Sequence, residues 1–421
     1  MTAAILGFGE SGQAAACYLE KMGVPFVVYE RPDKVDALRA AHPDLTIRPL
    51  GEEIEEAEIW RSPGIRPDIA PIRHAVERGA HLTSEWERFI TLCPAPIYGV
   101  TGSDGKTTTA TMAAALLKAS GKRVWLGGNI GNSLLRSLAE IQPSDAVVME
   151  LSSFQLMTFD CEIYAGVVTN ISDNHLDWHT SRTEYRRAKR RLLEGSLRRV
   201  KHASLTDFPG LNFSKIQQNA NYYLQNRALF HGENHLCYVD DIPLKGDYQI
   251  ENLLAAVALT NTGDRELAKV LPTLTPVPHR NVYLGEFDGV HCFDASIDTT
   301  PSRTAATLTA HHRPLTIICG GRGKAVPLAP LTEALIASVD AVVFTGEMGE
   351  EMCENLCAHP LYKGCPQVCY LADFGEAVVQ AHCLTPRGGT LLLSPAATSF
   401  DHFASYKARG EAFLEKLKTL R

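Results

Sequence analysis

The sequence predicts an α/β protein built from three successive domains, each around a mostly parallel sheet. Three observations point there. Short apolar runs alternate with helical patterns along nearly the whole chain. Two glycine-rich turns each follow a strand-like run and open a helix. Proline clusters at Pro94-Ala-Pro96 and from Pro272 to Pro278 interrupt the alternation. At roughly 150 residues per domain, 421 residues allow two or three domains, and the prolines select three: 1–93, 94–277 and 278–421.

In the first segment Ala3–Gly7 reads as a strand, Gly12–Met22 as a helix and Pro25–Tyr29 as the next strand, the start of a Rossmann-like unit. In the second, Ile97–Val100 is a strand, followed by a glycine-rich turn and a helix over Thr107–Ala119, the order of a P-loop ATPase-like domain. Strand-like runs follow at Arg123–Leu126, Ala146–Met149 and Ala165–Thr169, and a helix at Asn252–Thr262. Residues 201–246 are polar and irregular, a loop-rich excursion with small strands. In the third, Leu315–Cys319, Ala341–Phe344, Gln367–Tyr370 and Thr390–Leu393 are strands between helices, again Rossmann-like.

Composition narrows the class of partner. Apolar residues are 45% and charged residues 21%, so each domain can bury a core. The net charge of −7 gives no general attraction to nucleic acid or anionic lipid, so any phosphate ligand needs a local site. No apolar stretch reaches the roughly 18 residues of a membrane span, and Glu10 interrupts the apolar start. A cytoplasmic protein without membrane contact is expected. Eleven cysteines, an odd number, favour reduced thiols over a disulfide framework. Cys353, Cys357, Cys365 and Cys369, with His359 among them, have gaps unlike zinc knuckles and read as buried or incidental thiols.

The strongest chemical signal is Gly99-Val-Thr-Gly-Ser-Asp-Gly-Lys-Thr-Thr-Thr109 between strand and helix. Gly102, Ser103, Asp104 and Gly105 offer backbone N–H groups to phosphate oxygens, Lys106 supplies a point charge, and Thr107 can place its hydroxyl on Mg²⁺. Val100 stands where the usual P-loop has its first glycine. A second turn, Gly7-Phe-Gly9-Glu-Ser-Gly12, is followed by Glu30 near the roughly 20-residue offset of a dinucleotide fingerprint. It fits a dinucleotide or a nucleotide-sugar diphosphate. Glu150 ends a strand and His175 follows another, so both face the P-loop crevice, suited to a divalent ion carrying phosphates. His175 with His179 offers a zinc pair as the rival. The basic run Arg186–Arg191 reads mainly as a solvated helix face, since no aromatic interleaving accompanies it.

Taken together, these motifs resemble the ATP-dependent Mur ligases of peptidoglycan synthesis. Thr101–Thr108 is similar to their nucleotide loop. Gly127-Gly-Asn-Ile-Gly131, Glu150-Leu-Ser-Ser-Phe-Gln155, Asn174-His-Leu-Asp177 and Tyr185-Arg-Arg-Ala-Lys189 follow in the family's order. Arg61-Ser-Pro-Gly-Ile65, Ser296-Ile-Asp-Thr-Thr-Pro301 and Leu393–Phe403 resemble the branch that adds D-glutamate to UDP-N-acetylmuramoyl-L-alanine through an acyl phosphate.

The resemblance implies Lys106, Thr107 and Thr108 at the ATP phosphates, with Asn252 and Arg280 also on the nucleotide. It implies Mg²⁺, two ions in all, held by Thr107, Glu150, His175 and Lys189, the last as a carbamate. Gly9, Glu30, Arg31, Ser62, Asn129 and Ser152 would hold the UDP-muramoyl substrate, and Thr299, Lys324, Ser399 and Tyr406 the D-glutamate. A monomer is expected. The chain departs from the family at Ala295, where relatives have aspartate, at Gly246–Asn252, where only the ends of a pattern remain, and at Tyr406 in place of phenylalanine. A ligase for another amino acid or a folate-like acceptor, or a nucleotide-dependent switch, are the alternatives.

Overall fold

The computed structural model of the protein describes residues 2–130, 133–172, 178–242, 247–275, 277–323 and 327–420, the side chains of Asp247 and Tyr248 excepted. It divides into two compact units: Met1–Pro243 with Tyr248–Leu274, and Leu244–Asp247 with Thr275–Arg421. The first unit holds two sheets.

The first sheet has five parallel strands, β1 (Ala3–Leu6), β2 (Phe26–Glu30), β3 (Ile47–Pro49), β4 (Glu58–Arg61) and β5 (His81–Thr83), in the order β3-β2-β1-β4-β5. The turn after β1 is tight because Gly7 has φ +79° and a Cβ on Gly12 would stand 2.0 Å from the Gly7 carbonyl oxygen.

Nine strands form the second sheet: β6 (Ile97–Thr101), β7 (Val124–Gly128), β8 (Ala146–Glu150), β9 (Ile163–Val168), β10 (Ser196–His202), β11 (Leu211–Ser214), β12 (Tyr222–Gln225), β13 (Ala228–His231) and β14 (Asn234–Tyr238). Their order is β14-β13-β12-β11-β10-β9-β6-β8-β7, parallel except for the antiparallel β12–β14 edge. The stretch expected as a loop-rich excursion with small strands has those strands, β11 to β14, and they continue the sheet. Strands of only four or five residues carry too short a period to place in advance. The expected helix at 252–262 starts earlier, as Asp247–Thr260.

One hydrophobic core joins the two sheets of this unit. Ile5, Val28, Trp60, Trp86 and Phe89 from the first segment pack in the same cluster as Ile97, Val147, Phe159, Ile163 and Leu192. The Pro94 region is thus a change of sheet, with apolar packing continuous across it.

In the second unit β15 (Val282–Phe287), β16 (Val290–Asp294), β17 (Leu315–Gly320), β18 (Ala341–Thr345), β19 (Gln367–Tyr370) and β20 (Thr390–Leu393) are ordered β15-β16-β20-β17-β18-β19, with only β15 antiparallel. Both faces are covered. Ile317, Phe344 and Leu392 point into one cluster, while Ile318, Val343 and Leu393 point into the other. This explains why these strands read as continuous apolar runs. Among the described residues, no helix is long and apolar enough to cross a membrane.

The shared core predicts cooperative unfolding of the first unit. Phe89→Ala should destabilise it by about 3–5 kcal/mol in urea denaturation, with tryptophan fluorescence and far-UV circular dichroism shifting together. Separate transitions would contradict one core.

Candidate active site

Parallel strands deliver their carboxyl ends to one edge, and the predicted residues of the first unit gather at such edges. At the first turn Glu30, the last residue of β2, accepts from Phe8 N and Arg31 N, both at 2.9 Å. Ser62, just after β4, donates from Oγ to the Gly7 carbonyl at 3.0 Å. Space beside the Gly9 Cα is open. Arg31 is exposed, with Asp33 at 3.7 Å.

The phosphate loop lies between β6 and the helix Lys106–Ala119. Its two special glycines are fixed by close approach. A Cβ on Gly102 would stand 1.8 Å from Thr169 Oγ1, and one on Gly105 2.2 Å from Asn252 Oδ1. Asn252 is thereby placed against the loop, where it also accepts from Thr109 Oγ1 at 3.4 Å. Lys106 Nζ donates to the carbonyls of Gly102 at 3.0 Å and Ser103 at 2.9 Å. Ser103 Oγ lies 2.7 Å from the Tyr185 hydroxyl. The N–H groups of Ser103 and Asp104, expected to face phosphate oxygens, donate instead to the Asn170 carbonyl and Oδ1, both at 3.0 Å, because Asn170 follows the neighbouring strand and reaches across to the loop. Thr108 Oγ1 is buried without a hydrogen-bond partner among the described residues.

Glu150, at the end of β8, is buried and accepts from Thr107 Oγ1 at 2.7 Å and from Asn129 Nδ2 at 2.9 Å. Carboxylate and hydroxyl oxygens are hard donors, and their meeting beside a phosphate loop fits Mg²⁺. Ser152 opens the following turn, where its hydroxyl donates to Gln155 Oε1 at 3.1 Å.

Lys189 sits behind the phosphate loop on the helix Arg182–Glu194, 2% exposed. Its Nζ donates to the Gly102 carbonyl at 2.8 Å and lies 4.7 Å from the Tyr185 ring centroid. Burial, then the nearby Lys106 charge, push its pKa well below the usual lysine value. A neutral amine is the form that reacts with carbon dioxide.

His175 lies outside the described residues. His179 is buried, with Nδ1 3.2 Å from Glu184 Oε2 and Nε2 2.9 Å from Ser153 Oγ. Both its nitrogens are engaged inside the protein, against the zinc-pair alternative. Among the described residues no group of three or more His, Cys, Asp or Glu side chains is placed to hold a metal, the cysteines from Cys353 to Cys369 included. In the basic run Arg186 pairs with Asp207 at 2.6 Å and Arg190 with Glu194 at 2.9 Å.

In the second unit Arg280 stands between two residues with positive φ, His279 at 61° and Asn281 at 53°. Asp294, the end of β16, holds His279 Nδ1 at 2.7 Å and accepts from Ser296 N at 2.8 Å. With alanine at 295, the carboxylate one position earlier organises this turn. Thr299 is half-buried and Ser399 buried. Tyr406 opens the last helix, its carbonyl accepting from Ser296 Oγ at 2.8 Å. Lys324 lies outside the described residues.

The comparisons with known proteins agree with the motifs. Residues 100–260 match the Mur ligase middle domain. The UDP-N-acetylmuramoylalanine–D-glutamate ligase of Clostridium novyi is 34% identical over 449 residues, covering 99% of this chain and 96% of its own. The chain belongs to the Mur ligase family. The Clostridium kluyveri ligase of the same name is 35% identical over 98% of this chain and 95% of its own. The UDP-N-acetylmuramate-alanine ligase of Thermotoga maritima shares the fold, with a TM-score of 0.63 at 17% identity and 100% of both chains covered. A pseudomurein peptide ligase type C from Methanothermus fervidus does so at 0.60 and 15% identity, again over 100% of both chains.

Two arginines of this Mur ligase, Arg66 and Arg409, were not singled out by sequence reasoning, and Arg61 was named only as the start of a motif. Arg409 donates to Ser296 Oγ at 3.0 Å and to the carbonyls of Ser296 at 2.9 Å, Ala397 at 3.0 Å and Thr398 at 3.2 Å, tying together the loops of Thr299 and Ser399. Its signal is an arginine on the buried stripe Arg409, Phe413, Leu417 of the last helix. Burial lowers its pKa to about 10. Arg61 and Arg66 flank the Ser62–Ile65 turn. Arg66 hydrogen bonds to Glu184 and holds its carboxyl at about 2, below the ordinary 4.5.

A carboxyl with a depressed folded pKa contributes stability that is complete above its unfolded value and lost as the pH falls through the folded one. The melting-temperature gap between wild type and Glu184→Gln should therefore be full above about pH 4.5 and shrink toward pH 2. A gap constant over that range would contradict the Arg66 pairing.

Proposed function

We infer that the protein is an ATP-dependent amide ligase that joins D-glutamate to UDP-N-acetylmuramoyl-L-alanine, in peptidoglycan precursor synthesis. The observation that carries this reading is the full-length likeness to relatives of that name, 34–35% identical over 98–99% of the chain. The phosphate loop and the buried amine behind it support it chemically.

In this reading the three segments 1–93, 94–277 and 278–421 serve the UDP substrate, ATP and the amino acid in turn. Gly9, Glu30, Arg31 and Ser62 hold the uridine diphosphate, and Asn129 and Ser152 the muramoyl peptide. Gly102–Thr108, Asn252 and Arg280 bind the nucleotide. A carboxylate is a poor acyl donor, so the γ-phosphoryl group is first transferred to it, and Lys106 offsets the charge on the phosphoryl oxygens. Mg²⁺, which Thr107, Glu150 and His175 would hold, would add further charge compensation. Lys189, if carbamylated, would supply a carboxylate ligand for a second ion. Thr299, Lys324, Ser399 and Tyr406 orient D-glutamate so that its amine attacks the acyl phosphate. An amide, ADP and phosphate leave.

ATP consumption that requires both the muramoyl substrate and one amino acid from a panel separates this ligase from a nucleotide switch. D-glutamate should be the acid that supports turnover; hydrolysis without either co-substrate, or preference for another acid, would overturn the reading. Lys106→Ala should lower amide formation on the order of 10³-fold. Lys189→Ala should be inactive and partly restored by a short carboxylic acid such as acetate, which replaces the carbamate oxygens.

A further inference from the structure

The Ser62–Ile65 turn is fastened at both ends to the loops of the nine-stranded sheet. At one end Arg61, 1% exposed, donates to the Phe154 carbonyl at 3.0 Å and Thr158 Oγ1 at 3.2 Å, while its other arm holds the Ile65 carbonyl at 2.8 Å. At the other end Arg66 grips two carboxylates. Its Nη1 and Nη2 meet Glu184 at 3.1 and 3.0 Å, and its Nε and Nη2 meet Asp68 at 2.8 and 2.7 Å. Nη1 also donates to the Trp178 carbonyl at 2.6 Å, and the guanidinium lies 5.1 Å from the Trp178 ring centroid. Planar, bidentate contacts of this kind set orientation as well as distance.

Glu184 passes the contact on. Its Oε2 accepts from Thr180 N at 2.9 Å and lies 3.2 Å from His179 Nδ1, whose ring reaches Ser153 Oγ at 2.9 Å. Glu184 belongs to the first turn of the helix that bears Lys189, and Ser153 follows Ser152. A continuous polar chain thus runs from the first glycine turn, through Ser62, to the segments carrying Ser152 and Lys189.

We propose that Arg66 and Glu184 are positioning residues that hold the Ser62–Ile65 turn and the Lys189 helix in one register, so that the nucleotide-sugar substrate bound at the first turn presents its carboxylate to the phosphate loop. The proposal rests on the ligase reading above. It makes a selective statement about substrates. The pair touches the Ser62–Ile65 turn directly, whereas the phosphate loop meets the same helix further along, at Tyr185 and Lys189, so loosening the pair affects the muramoyl substrate far more than ATP.

Steady-state kinetics of the full-length enzyme, wild type, Arg66→Gln, Glu184→Gln and the double variant, test it. Each single substitution should raise KM for UDP-N-acetylmuramoyl-L-alanine about tenfold and KM for ATP by less than about twofold, and the double should be no worse than the more impaired single, as for residues acting through one contact. Arg66→Lys, which keeps the charge and loses the fork, should fall between. Equal rises in both KM values, unchanged KM values with a lower active fraction, or multiplying effects in the double variant would overturn it. If Arg66→Gln does not fold, Glu184→Gln and Arg66→Lys carry the same comparison. A wild-type enzyme that forms no amide from these substrates refutes the ligase reading instead, and equilibrium binding of UDP-N-acetylmuramoyl-L-alanine to wild type and Glu184→Gln then decides the positioning claim: equal affinities overturn it.

Discussion

The arrangement of the first unit depends on one buried contact, the Lys189 amine against the Gly102 carbonyl. An ammonium taken out of water loses its hydration, and no carboxylate touches it in compensation among the described residues. The environment therefore favours the uncharged amine, and the helix that delivers it must be held firmly enough to keep it there. That requirement explains the surrounding construction. Tyr185 lies under the amine and reaches Ser103, Leu192 packs in the core, and Glu184 ties the helix start to Arg66. Reactivity at one atom is thus bound up with packing over several turns.

Glycine plays a matching part on the other side of the loop. Gly102 and Gly105 are required because Thr169 and Asn252 come so near that any side chain would collide. Neighbouring strands hold the backbone in this shape, with the Ser103 and Asp104 N–H groups drawn onto Asn170. The same logic recurs at Gly128, where a Cβ would stand 2.3 Å from the Glu150 carbonyl oxygen. Close backbone approach there keeps Asn129 on the Glu150 carboxylate.

Much of this was legible in the sequence, because strand, glycine turn and helix leave strong local marks. Lys106, Thr107 and Glu150 stand together as their motifs imply, and the Val100 departure from the usual loop did not displace them. What stayed hidden depends on partners far along the chain. Arg61 finds Phe154 and Arg66 finds Glu184 across more than ninety residues. No period or spacing announces such a pair. The strands from β11 to β14 were expected only as small strands within a loop-rich stretch, for a different reason: they are short and at the sheet edge, where pairing rather than hydrophobic alternation defines them. Asp294 shows a third case, since its contacts with His279 and the Ser296 N–H depend on how the turn folds and not on its place in a motif.

Lys106 is satisfied by the loop it belongs to, through the carbonyls of Gly102 and Ser103. A phosphate that takes this lysine must exchange those bonds for its own, so the binding free energy is a difference between two sets of hydrogen bonds rather than the sum of one. The loop acts as an internal competitor. Isolated anions with only a few contacts to offer gain little by such an exchange, whereas a nucleotide engaging several groups at once gains at each. Selectivity for the larger ligand is therefore built into the hydrogen bonding of the loop itself.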